Sequence, residues 1–112
     1  MKTLADFKRR IVKGAKIHTI YHLKFAGRCE ETDEMMYKDD DRGIREVSIV
    51  QTNSFALKTI QSGGNEVDSW CAYPKKDDIK FIDNDTVQIM DYIYNSKNEK
   101  LIVPCLTYKF IT

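Results

Sequence analysis

The sequence is poor in the residues that mark most enzymes and most membrane proteins. Its 112 residues include only three cysteines, two histidines, two prolines and one tryptophan. An odd cysteine count argues against a closed disulfide framework, leaving Cys29, Cys71 and Cys105 as reduced thiols or metal ligands. No apolar run approaches the roughly 18 residues of a membrane span. No apolar h-region follows the basic N-terminal residues, so a cytosolic protein is expected. There is no Gly-rich phosphate loop, nucleophile elbow, HExxH or CxxC. Ser62-Gly63-Gly64-Asn65 lacks the strand-to-helix context of a phosphate cradle. Asp39-Asp40-Asp41-Arg42-Gly43 has the wrong spacing for an EF-hand and reads as a turn. A Cys–His catalytic pair can meet in space without a sequence signature, but no motif supports one, and a non-enzyme is expected.

What is present suits a soluble globular chain. Hydrophobic residues at 42% and charged residues at 31% fit a single domain over 1–112 with one modest core. Charge is unevenly spread. Residues 1–28 hold eight basic groups and one acid, whereas residues 29–41 hold seven acids and one lysine. The acids are Glu30, Glu31, Asp33, Glu34, Asp39, Asp40 and Asp41. The basic segment, with Lys8, Arg9, Arg10, Lys13 and Lys16, could touch nucleic acid or simply form a solvated helix face beside an acidic loop.

One helix is well signalled. Thr3 caps it, with Asp6 in a capping-box position. Leu4, Phe7, Ile11 and Val12 fall on one stripe, and Gly14 supplies the stop. From Ala15 the period becomes two: Ile17, Thr19, Tyr21, Leu23 and Phe25 share one face, and His18, Ile20 and His22 the wetter one. Residues 27–43 read as a long loop or an elaborated hairpin. REVSIV with FALKT, the run Val67–Tyr73, Ile79–Ile82 with Thr86–Tyr92, and a last strand follow. Pro104 places an edge or bulge in that last strand. The expected fold is α+β: one N-terminal helix packed on a curled, mainly antiparallel β-sheet or small barrel of 6–7 short strands.

The stretch IHTIYHLKFAGRC raises the question of a metal. His18 and His22 share a strand face, but four residues of strand separate their Cα atoms by roughly 13 Å. One zinc, with ligands at about 2.0–2.3 Å, cannot easily take both. His22 with Cys29 and Cys71 would make a plausible structural zinc, its fourth ligand being His18 across a bulge, or Cys105. The alternative is surface histidines and small buried thiols. The aromatic residues alternate inward and are expected in the core rather than on a stacking surface. Met35-Met36-Tyr37, apolar residues on a polar connection, suit a protein contact.

The segments GIREVSIVQTNSFALKT, DSWCAYPKKDDIKF and LTYKF resemble a group of small proteins of bacterial phages and mobile elements. In size and character the chain is also similar to streptococcal phage anti-CRISPR proteins, a group that includes a zinc-containing inhibitor of Cas9. That resemblance implies a non-enzymatic inhibitor in the host bacterial cytosol, which docks on a Cas9-type nuclease and blocks loading of target DNA. The acidic residues 30–41 would then meet a basic nucleic-acid-binding surface. The alternative is a nucleic-acid-binding accessory module built on the basic helix.

Overall fold

The computed structural model describes residues 1–111. A short helix, α1 (Leu4–Arg10), precedes β1 (Lys16–Arg28), β2 (Met35–Val50), β3 (Ser54–Ile60) and β4 (Glu66–Ala72). A single 3-10 turn (Lys76–Asp78) leads to β5 (Ile79–Phe81), β6 (Thr86–Tyr94) and β7 (Lys100–Ile111). The strands form one antiparallel sheet in the order β4-β3-β2-β1-β7-β6-β5. The sheet is open, with β4 and β5 at its edges, so it is not a closed barrel. No helix of the described residues is long and apolar enough to cross a membrane.

α1 forms where the capping chemistry predicts. Thr3 Oγ1 accepts from the Asp6 amide, and the Asp6 carboxylate accepts from the Thr3 and Lys2 amides. The helix is shorter than the apolar stripe suggests. It ends at Arg10, so Ile11 closes it as a buried cap while Val12 falls outside the stripe and is 54% exposed. Gly14, at φ 91°, turns the chain so that its amide reaches the Val47 carbonyl, and Ala15 accepts from Val47 in return. Helix and sheet are thereby locked together within a few residues.

The core lies between α1 and one face of the sheet. Phe7, fully buried, is ringed by Phe55, Tyr73, Tyr108 and Phe110 at centroid distances of 5.9–6.5 Å. Ile17, Val47, Leu57 and Val87 complete the cluster. The sheet bends to achieve this. Four strand spacings between β4 and β7 would span roughly 19 Å if flat, yet the Cys71 thiol lies beside the Tyr108 hydroxyl.

Residues 27–43 form the elaborated hairpin rather than the long loop. β1 and β2 continue as a twisted ribbon through three register shifts, and only residues 29–34 lie outside strand. Such bulges let polar and apolar residues alternate irregularly without ending the strand. Several strands are long rather than short, with 13, 16 and 12 residues in β1, β2 and β7. Pairing of β1 with β7 runs from Lys16↔Ile111 to Tyr21↔Leu106. Beyond that point β7 pairs only with β6, and Cys105 is the residue inserted by the bulge opposite Ile89–Met90. Pro104 sits where its missing N–H costs no bond to β1. Two ribbons, β1–β2 and β6–β7, therefore run on past the core.

Phe7→Ala empties the centre of the aromatic cage. It is expected to destabilise the protein by about 3–5 kcal/mol, read as a lowered midpoint in urea with an unchanged slope. A change under about 1 kcal/mol would show that α1 is not what closes the core.

Candidate functional site

Two polar features stand outside the core. The first crosses the wet face of the sheet. His18 and His22 of β1 each meet a carboxylate of β2: His18 Nε2 lies 2.7 Å from Asp41, and His22 Nδ1 lies 2.7 Å from Asp39. His22 Nε2 is 2.6 Å from Thr107 Oγ1, which accepts from Gln88 Nε2 at 3.3 Å. In neutral His22 the network assigns Nδ1–H as donor to Asp39 and Nε2 as acceptor from Thr107. A polar chain thus joins β6, β7, β1 and β2. Asp41 also accepts from the Gly43 amide at 2.8 Å. That bond belongs to a bulge within β2, so Asp39–Gly43 is strand and not a chain-reversing turn.

The second feature is the turn joining β1 to β2. Cys29 donates its amide to the Glu34 carbonyl and accepts from the Asp33 amide, both at 2.8 Å. Asp33 adopts φ 56°, a conformation that aspartate tolerates better than most residues. Ser96, from the β6–β7 turn, donates to the Glu34 carboxylate at 3.0 Å. The Cys29 thiol is held below its usual range, first by hydrogen bonding from Thr32. Glu30 and Glu31 are exposed and have no ion-pair partner among the described residues.

The acidic residues therefore divide by the partners they meet. Glu30, Glu31, Asp33 and Glu34 form the tip. Asp39 and Asp41 pair with histidines, and Asp40 lies 3.5 Å from Arg42. Near the tip Phe25 pairs with Tyr37 across the ribbon, and Phe25, Met35 and Met36 are about half exposed. The expectation of an aromatic core holds for Phe7, Phe55, Tyr108 and Phe110 but not for Phe25, Trp70, Tyr92 or Tyr94, which remain on the surface.

The five proposed metal ligands are dispersed. No group of three or more His, Cys, Asp or Glu among the described residues could hold a metal ion. Both ring nitrogens of His22 already have partners. Cys71 lies on β4, three strands from β1, and faces the core side beside Tyr108. Cys29 sits in the ribbon turn and Cys105 in the β7 bulge. At most a His–Asp pair is on offer at either histidine, against the four ligands of a structural zinc. The residues do not fit that ion. Nor is a cysteine among the hydrogen-bond partners of either histidine, as a catalytic couple requires.

The cations of α1 are largely engaged within the fold. Arg9 pairs with Asp6 and Arg10 with Asp85, while Lys8 and Arg10 lie over the rings of Tyr73 and Phe110. Lys13 and Lys16 remain. Comparison with protein-family models, curated proteins and solved structures finds no match to this chain.

Two expectations follow from this geometry. Because no donor set closes around an ion, a strong chelator should leave the melting temperature unchanged; a chelator-dependent drop, with zinc near one per chain, would overturn the dispersed arrangement. Asp6, Asp41 and Asp83 are all held below the ordinary carboxyl value of 3.8, chiefly by the amides of Lys2, Gly43 and Asp85 respectively. Their folded-state values lie below the unfolded ones, so their contribution is full above the unfolded value. It is lost as pH falls through the folded values. Thermal melts should be flat from neutrality to mild acid and decline below about pH 4, with a shallower decline in Asp41→Asn.

Proposed function

We propose that the protein is a non-enzymatic binding module: a phage or mobile-element inhibitor that docks its acidic ribbon turn on a host defence nuclease of Cas9 type and blocks loading of target DNA. The observation that carries the reading is the turn at Cys29–Glu34. It presents Glu30 and Glu31 unpaired at the end of a long ribbon, fixed by two backbone bonds and tied to the neighbouring ribbon by Ser96. A preorganised anionic tip beside exposed Phe25, Met35 and Met36 suits a basic protein surface with an apolar margin.

The shape supports a binding role. The accessible surface is 7633 Å², whereas a monomer of 13.1 kDa is expected to expose about 6,400 Å². The excess exceeds the roughly 800 Å² that each partner commits to a standard interface. The radius of gyration, 15.5 Å, likewise exceeds the roughly 13 Å expected for this length. The choice of a Cas9-type partner rests on the resemblance to anti-CRISPR proteins; a surface shaped to carry nucleic acid is the kind of target the tip would fit. Zinc has no part in this reading.

The test pairs Glu30→Lys and Glu31→Lys in one variant and measures inhibition of guided DNA cleavage beside the melting temperature. Inhibition is expected to weaken at least about tenfold, mostly through association rate, with melting unchanged. Intact inhibition in the variant overturns the acidic-contact model. So does a salt-sensitive gel shift of DNA or RNA that depends on Lys13 and Lys16, which would instead mark a nucleic-acid module.

A further inference from the structure

The core side of the bent sheet is not filled throughout. A cavity of about 290 Å³ opens there, lined by residues of β1, β2, β3, β4, β6 and β7. Arg42 and Arg45 line it together with Thr19, Ser69, Cys71 and Tyr108, while Leu57, Ile89 and Leu106 supply an apolar wall. Arg45 is opposite Ile17 in the β1–β2 register, which turns it to the same side as the core.

Two groups here lack partners: Thr19, which is buried, and Arg45, which is half-buried. Thr19 is 2% exposed, and its Oγ1 has no hydrogen-bond partner. Valine would fill the same volume without a hydroxyl, so a hydroxyl here points to a partner reached from the cavity that Thr19 lines. Arg45 has no carboxylate within ion-pair distance among the described residues. Arg42 lies over the Tyr21 ring at 4.5 Å and reaches Asp40 only at 3.5 Å. Burial, and then the like charge of Arg42, push the Arg45 pKa downward. The cavity is thus lined by two arginines, whose guanidinium groups only donate, and by four hydroxyl side chains, with no carboxylate among its lining residues.

Chemistry narrows the occupant. Guanidinium pairs match the multiple oxygens of a phosphate or carboxylate, and the hydroxyls of Thr19, Ser69 and Tyr108 add donors suited to a tetrahedral anion. The wall of Leu57, Ile89 and Leu106 favours a ligand with an apolar or planar body. The volume is near the lower end of small-molecule sites. We propose that this cavity binds a phosphomonoester of about mononucleotide size, its phosphate held by Arg42 and Arg45 and its body against the apolar wall. This site is separate from the acidic turn, and its occupancy does not depend on that turn's partner.

Calorimetric titration of the full chain with adenosine monophosphate, phenyl phosphate, inorganic phosphate and benzoate tests the proposal. At least one organic phosphate should bind at least about tenfold more tightly than inorganic phosphate or benzoate. Arg42→Gln and Arg45→Gln should each weaken it about tenfold or more. Free Arg45→Gln should melt at the same or a higher temperature, because a like charge beside Arg42 has been removed. Thr19→Val, which keeps the shape, should melt higher and bind several-fold more weakly. Failure of both organic phosphates to bind overturns the site, as does equal or tighter binding of inorganic phosphate or benzoate. Retained affinity in Arg45→Gln also overturns it. A lower melting temperature for Arg45→Gln together with unchanged binding in Thr19→Val would make both residues structural.

Discussion

The fold depends on where the ring of Phe7 goes. A seven-residue helix has too few hydrogen bonds to persist in water by itself. It persists because Phe7 is enclosed by four aromatic rings contributed by β3, β7 and the segment after β4. Those rings can converge only if the sheet bends, so the helix and the curvature stabilise one another. Lys8 and Arg10 add to the enclosure from the helix side by lying over Tyr73 and Phe110. Two of the basic residues that look in sequence like a nucleic-acid face are therefore part of the lid over the core.

Away from that cage the molecule is held by polar contacts across a thin sheet. The chain from Gln88 through Thr107 and His22 to Asp39 ties four strands on the side that α1 does not cover. Each such bond adds only about 1 kcal/mol net, but together they fix the register where apolar packing is sparse. The same division explains why the ribbons can carry unpaired acids and exposed methionines: nothing in the core depends on them.

Local chemistry was legible in the sequence where each residue's role is local. The Thr3–Asp6 capping box appears as read, and the alternation holds from Ile17 to Tyr21; the helix ends at Arg10, short of Gly14, and a bulge between Tyr21 and Lys24 leaves Phe25 exposed. The sequence leaves the ribbon open between a long loop and an elaborated hairpin, because three register shifts in the β1–β2 pairing break the period on which a strand is recognised. Bulges also divided the acids, sending Asp39 and Asp41 to the histidines and Asp40 to Arg42. The histidine–aspartate couples had a signal, namely matching two-residue spacing on adjacent strands, but it needs the register to be read. Arg45 had one as well: it shares parity with Val47 in REVSIV and so points inward, a position where an arginine is unusual. Residue type and the short gap from His22 to Cys29 suggest grouping the cysteines with the histidines, and only the strand order shows how far apart they lie.

The pairing of β1 with β7 joins the two most distant parts of the chain, with Lys16 opposite Ile111 and Tyr21 opposite Leu106. In an antiparallel pair loaded from that end, tension opens the hydrogen-bonded rungs one at a time rather than shearing them together. A protein-unfolding machine that pulls β7 from its Ile111 end would thus meet the weakest mechanical direction of this pair first. The rungs that open earliest flank Ile17 and Phe110, so the core is breached while the ribbons are still intact. Anything that holds the ribbon tips leaves this route open, whereas an occupant spanning β2, β4 and β7 would brace the sheet just beyond its last rung.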